Sequence, residues 1–296
     1  MYERVMLATD MHVAANDAAA FLPLVTTPNA DVSAITIVPL PDIPGVLPEA
    51  FMERLDDNRR DARQALDKWA AEHMAHSVHT LVHEGQAARI LAREASAHNS
   101  ELIVLGATHK TAVERLLLGS HARAILRRAP CDALVVHRAT ERIDTIVVAT
   151  DFQGPSRLAC ARAQEIATAC GARVVLTHVS DLAVWPGDPA FSAGGFAPSD
   201  MTWLLEQARV SLSQANDELF DGKVETRLVE GRPGTAIRDV AAEVEAQLII
   251  LGGHGGGPFA RLLMGSVAEH VAIHADTNVL IVRGAHEPDD EVHDVS

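Results

Sequence analysis

The sequence predicts two tandem α/β units, each an open parallel sheet with helices on both faces. Three observations point there: an internal repeat that spans nearly the whole chain, short apolar runs alternating with long amphipathic segments, and a length of 296 residues. That length accommodates two compact domains, since single domains usually run about 100 to 200 residues.

The repeat comes first because it fixes the rest. VMLATD at residues 5–10 returns as IVVATD at 146–151, HEG at 83–85 as VEG at 229–231, and ELIVLG at 101–106 as QLIILG at 247–252. ERLLLGS at 114–120 returns as ARLLMGS, and DALVVH at 132–137 as NVLIVR at 278–283. The offset is 141 at the first strand and 146 from the third onward, so the second copy carries about five extra residues. They belong in WPGDPAFSAGGFAPSD, residues 185–200, whose Pro, Gly and Asp content marks a loop.

Within each copy the elements follow one grammar. Runs rich in Val, Ile and Leu at 5–8, 35–38, 102–105 and 134–136 have the continuity of strands covered on both faces. Residues 53–76 and 200–220 read as helices, the second with Leu204, Leu205, Ala208 and Leu212 at helical spacing. Strands alternating with helices imply right-handed crossovers and parallel pairing. The last strands, ALVVH and VLIVR, would leave apolar edges exposed, and pairing them would join the units into a pseudo-symmetric pair. The first unit is expected at 1–139 and the second at 140–284, with RATERID at 138–144 as a polar linker. The acidic segment 285–296 is expected to be disordered.

Composition excludes several functions. Forty acids against 25 Lys and Arg give a net charge of -15, which repels nucleic acid and anionic membrane. No apolar run is long enough to span a bilayer, and the first ten residues lack the basic start and apolar core of a leader. Cys131, Cys160 and Cys170 are odd in number and lie in Ala-rich contexts without metal or redox spacing, which fits a reducing cytoplasm. Cys131 reads as a small buried hydrophobe. His73, His76 and His79 have a tempting spacing, but His79 falls in or beside a strand, so the three need not share a face and no metal site is expected.

The strongest chemical signal is LGGHGGGPFARLLMGS at 251–266, which follows the apolar run QLIIL and precedes a predicted helix, SVAEHVAIHA. In open α/β sheets, ligands bind outside the carboxyl ends of the strands, where loops lead into helix N-termini. Glycines let backbone N–H groups approach an anion, and a helix N-terminus offers unpaired N–H groups and partial positive charge. Ser266 adds a hydroxyl, and Asp151, at the end of the unit's first strand, can accept from an amino group or a ribose hydroxyl. Asp10 and Asp151 can equally cap the helices that follow them. Arg115 and Arg261 recur at equivalent positions, where a solvated helix face is the default reading. A tight structural connector is the plain alternative for the loop, which matches neither GxGxxG nor the Walker pattern.

The joint pattern is more specific: Gly252, two residues, Gly255, nine residues, Gly265 and Ser266, partnered with ATD at the head of the unit. It resembles the universal stress protein family in its tandem form. That resemblance implies a Rossmann-like, adenine nucleotide α-hydrolase-like fold and an ATP site, with or without Mg²⁺. Asp151 and the backbone of Val179 would serve the base, and Gly252, Gly255, Gly265 and Ser266 the ribose and phosphates.

In the first copy Asp10, Gly106, Gly119 and Ser120 match, but His109 stands where the second glycine belongs. Lys110 and Thr111 replace the two glycines that follow, and Ala112 the proline after them. A side chain where backbone must meet phosphate takes up room, so the first site is expected to be the weaker one. No Ser-His-Asp or Cys-His arrangement supports nucleophilic catalysis, and the expected role is regulatory or sensory binding of an adenine nucleotide in the cytoplasm. A slow ATPase and a nucleotide-free interaction protein are the alternatives. The sequence leaves open the protein partners and whether tandem chains pair further.

Overall fold

The computed structural model describes residues 1–40, 49–74, 78–107, 119–181, 198–253 and 264–283. Among them, the first unit runs β1 (Tyr2–Ala8), α1 (Val13–Phe21), β2 (Thr26–Val38), α2 (Glu49–His73), β3 (His79–Glu84), α3 (Ala87–Ala97), β4 (Leu102–Gly106), α4 (Ser120–Arg128) and β5 (Asp132–Val136). The second repeats it as β6 (Thr145–Ala149), α5 (Gly154–Cys170), β7 (Arg173–Ser180), α6 (Pro198–Phe220), β8 (Glu225–Glu230), α7 (Pro233–Glu243), β9 (Leu248–Gly252), α8 (Ser266–His274) and β10 (Asn278–Val282).

These strands form one ten-stranded sheet in the order β3-β2-β1-β4-β5-β10-β9-β6-β7-β8. Every described pairing within a unit is parallel. The units meet through β5 and β10, which pair antiparallel with Leu134 opposite Leu280. The apolar edges foreseen in the sequence therefore cover each other, and the pseudo-symmetric pair is a single sheet.

Alternation along the strands sends side chains to two cores. Val5, Leu7, Leu102 and Val104 face the layer of α1, α2, α5 and α6. Met6, Ile103 and Leu105 face the layer of α3, α4, α7 and α8. Both faces are covered, which is why these strands read as continuous apolar runs. A fully buried Leu or Ile contributes roughly 1.5 to 3 kcal/mol, so a sheet buried on both faces is the main source of stability. Helix α5 stops at Gly171, whose φ of +69° makes the left-handed cap, with the Ala172 N–H donating to the Ala167 carbonyl at 3.0 Å.

Several boundaries differ from the sequence reading. Helix α2 begins at Glu49 and ends at His73, and α6 begins at Pro198, inside the segment read as loop. Strand β2 starts as early as Thr26 and absorbs Pro28 at an irregularity between the Tyr2 and Arg4 pairings. The polar linker also holds a core anchor: Ile143 is 1% exposed, wedged where the second unit begins. His76, most of the 185–200 loop and the 285–296 tail lie outside the described residues.

Polar groups tie the halves together across the β5/β10 seam. Asp132 is buried, accepting from the Tyr2 hydroxyl at 2.6 Å and from the Arg283 N–H at 2.7 Å. The Arg162 guanidinium lies 4.2 Å over the Tyr2 ring, with Nε 3.8 Å from the Asp132 carboxylate. Asn278 stands at the matching place in β10; its Oδ1 accepts from the N–H groups of His137 at 2.9 Å and Arg138 at 3.1 Å.

Candidate nucleotide site

At the carboxyl end of the second unit's strands lies a cavity of about 240 Å³. Five of the six residues assigned to the second site line it: Asp151, Val179, Gly252, Gly265 and Ser266. Gly255 lies outside the described residues. The walls are chemically divided. Ala149, Val179, Ile237 and Leu251 make an apolar half, and Ser156, Pro233 and Ser266 stand at the first turns of α5, α7 and α8. Three helix N-termini converge on one cavity and bring partial positive charge to it, although Pro233 at the start of α7 and Pro155 in the first turn of α5 carry no N–H.

Helix α8 is the most open of the three. No side-chain hydrogen bond caps it among the described residues, and Gly265 at the cap position has φ -62°. The first backbone bond runs from the Glu269 N–H to the Gly265 carbonyl at 2.9 Å, so the N–H groups of Ser266, Val267 and Ala268 have no acceptor within the helix. Those same three residues line the cavity. The Gly265 N–H itself donates to the Gly253 carbonyl at 2.8 Å, fixing the helix start against the end of β9.

The Asp151 turn is rigidly built. Thr150 Oγ1 accepts from the Phe152 N–H at 3.0 Å, and Asp151 Oδ1 accepts from the Gln153 N–H at 3.0 Å. Phe152 takes φ +63°, a left-handed conformation that an aromatic residue rarely adopts, so the turn stores some strain. Helix α5 has Gln153 at its cap position with no side-chain cap. The aspartate therefore closes the turn ahead of the helix, and the capping role considered from sequence does not apply in its strict form. The first unit repeats the device: Met11 has φ +62°, its N–H donates to Thr9 Oγ1 at 2.8 Å, and the His12 N–H donates to Asp10 Oδ1 at 3.1 Å.

His178 was not singled out from sequence, yet it supports this turn. Its Nδ1 donates to the Thr150 carbonyl at 2.8 Å, and its ring lies 4.4 Å from that of Phe152. The first unit has Thr36 in its place. Thr150, Ser156, Pro233 and Ile237 were likewise missed. Thr150 had a signal, the threonine shared by both ATD strand ends; the others come from elements distant in sequence.

Two of the glycines have reasons of their own. A Cβ on Gly252 would come within 2.9–3.0 Å of the Pro155 and Ser156 backbone, and one on Gly106 within 2.2 Å of the Ala14 carbonyl oxygen. Each lets the first helix of its unit lie directly on the strand end. Gly119 is different: its φ is -56°, and a Cβ there would meet nothing within 4 Å. Neither backbone nor described neighbours require glycine there, and its missing side chain keeps the approach to Ser120 and the α4 N-terminus open. Asp10 and Gly106 sit at the ends of β1 and β4 in the same arrangement, while His109 through Ala112, Arg115 and Arg261 lie outside the described residues. No group of three or more His, Cys, Asp or Glu among the described residues is placed to hold a metal, and no described helix is long and apolar enough to cross a membrane.

A duplicated parallel α/β unit, with a cavity where helix N-termini meet strand ends, defines a tandem open-sheet α/β protein with its candidate ligand site at the carboxyl ends of the strands. The chain belongs to the universal stress protein family, whose sequence model matches residues 1–137 and again 142–283. A universal stress protein of Mycolicibacterium smegmatis is 27% identical over 246 residues, covering 78% of this chain and 79% of its own. One of Mycobacterium tuberculosis is 28% identical over 195 residues, and the match spans 63% of either chain. The crystal structure of a universal stress protein from Archaeoglobus fulgidus shares the fold, covering 97% of both chains with a TM-score of 0.65 at 17% identity.

Proposed function

We propose that the protein is an ATP-binding regulatory or sensor protein of the cytoplasmic stress response, with nucleotide held mainly in the second of two units at 140–284. The first unit, at 1–139, mainly supports the pair. The observation that carries this reading is the convergence of three helix N-termini on a cavity whose other half is apolar. A ligand suited to it has a flat, weakly polar end and an anionic end, which describes an adenine nucleotide. Asp151 and the Val179 backbone would hold the base. Gly252, Gly255, Gly265 and Ser266, with the N–H groups at the start of α8, would hold ribose and phosphates. Mg²⁺ would arrive on the phosphates.

Binding without efficient hydrolysis is favoured over a slow ATPase. Among the described lining residues Asp151 carries the only carboxylate, and one of its oxygens already closes the turn to Gln153. A water-activating base needs to reach the γ-phosphate, and His178, the other titratable side chain that lines the described cavity, stands on β7 beside Val179, at the end the base would take.

Calorimetric titration with ATP of Gly265→Val, alone and with Ser266→Ala, tests the assignment. Both variants should lose ATP binding and keep the unfolding transition of the parent, because a branched side chain would cover the oxygens at the start of α8. Unchanged ATP affinity would remove the phosphate site from this place.

A further inference from the structure

Helix α8 carries an acid in its own first turn, Glu269. An acid there favours the bare helix through the dipole but opposes an anion approaching the same N–H groups. The first unit has Arg123 at the matching position of α4. Glu269 is also poorly solvated, its side chain 19% exposed, so water screens it incompletely.

Its partner comes from the other half of the chain. Arg127, in the last turn of α4, donates from Nη2 to Glu269 Oε1 at 2.6 Å. The far end of α8 is held from the first unit as well, since His137 Nε2 donates to the Ala272 carbonyl at 3.0 Å. First-unit side chains thus engage the phosphate-facing helix at both ends.

Resting on the reading that the second cavity holds nucleotide phosphates, we infer that Arg127 is a positioning residue for the second unit's anion site, supplied by the first unit. It neutralises Glu269 and binds its carboxylate on the α4 side, so the start of α8 presents donors to the ligand with less opposing negative charge. The first unit, whose own loop has lost its glycines, thereby sets the affinity of the second. Arg127 itself is 61% exposed, so its removal costs the fold little and is read at the ligand.

The test is calorimetric titration of the full chain with ATP and, separately, with adenosine. Arg127→Ala should weaken ATP about 3-fold and Arg127→Glu about tenfold, a difference that shrinks at high salt, while adenosine affinity stays constant. Glu269→Gln should tighten ATP, and in that background Arg127→Ala should change nothing, as coupling between two contacting groups requires. Equal weakening of ATP and adenosine, an unchanged ATP affinity in both Arg127 variants, or the same loss with and without Glu269 would each overturn the role of Arg127 and leave the nucleotide site standing. Failure of the unmodified protein to bind ATP would remove the site itself, and this inference with it.

Discussion

His137 donates from Nε2 to the carbonyl of Ala272, and Arg283, 146 positions further on, donates its guanidinium to the carbonyl of Leu126, 146 positions before Ala272. Each unit's chain, leaving its last strand, thus grips the helix that precedes the last strand of the other. Asp132 and Asn278 complete the exchange by accepting the backbone N–H groups of Arg283 and of His137 with Arg138. The repeat is therefore a structural symmetry as well as a duplication, and its axis runs through the β5/β10 seam.

Removal of one arm of this exchange should be costly. Asn278 is fully buried, and its Nδ2 also donates to the Gln247 carbonyl at 3.2 Å. Asn278→Ala would strand two N–H groups and a carbonyl, which costs about 2 to 4 kcal/mol at typical values for buried unpaired groups. Urea unfolding measures it; a loss below about 1 kcal/mol would mean that water replaces the amide and that the seam is less dry than described.

The motif glycines should separate into two kinds. Gly106→Ala drives a Cβ to 2.2 Å from the Ala14 carbonyl oxygen, so α1 must move off the sheet, at a cost of about 2 to 3 kcal/mol. Gly119→Ala meets nothing within 4 Å and should change stability by less than about 1 kcal/mol. Thermal unfolding of the two variants decides between them. Equal destabilisation would show that the glycines share one structural purpose.

Alkaline pH should destabilise the fold. Burial pushes the Cys131 and Cys160 thiols up to about 12 from an ordinary 9.0. Burial, with Asp132 beside it, also raises the Tyr2 hydroxyl well above 10.0. The unfolded chain then releases protons that the folded chain keeps, so stability falls as pH rises from about 9 toward 12. Urea midpoints measured across that range should drop steadily, and replacing both thiols by alanine should flatten the slope up to about pH 10. A flat profile in the parent would show that the thiols ionise in the native state. Slow alkylation of Cys131 and Cys160 at pH 8, until unfolding exposes them, is the companion observation.

The strand cores were legible in sequence because a strand buried on both faces has nowhere to place a polar side chain, as residues 102–105 and 248–251 show. The seam was legible for the same reason: two apolar last strands require a partner. The early part of β2 was not, since TTPNAD reads as a turn, and only the neighbouring β1 draws it into the sheet. Ile143 was hidden inside a polar linker because one buried side chain leaves no periodicity. At the site, the Gly and Ser positions announced themselves by spacing. His178 did not, because its purpose is a single bond to Thr150 that appears only once β6 and β7 lie side by side. Gly252 was legible as a residue of the site, while the packing of α5 directly against it was not.

On the proposed reading, the two loops of the repeat differ because the two sites divide the work, with the second binding nucleotide and the first supporting it. Counting ATP equivalents on the unmodified full-length chain by calorimetry tests this most directly. About one tight equivalent is expected, with any first-site binding weaker, and His109→Gly should strengthen the first site by about 1 to 2 kcal/mol through relieved crowding and backbone strain. Two equivalents bound with equal affinity would contradict the division, and would mean that the side chains of His109 and Lys110 serve the first site in place of the missing glycines.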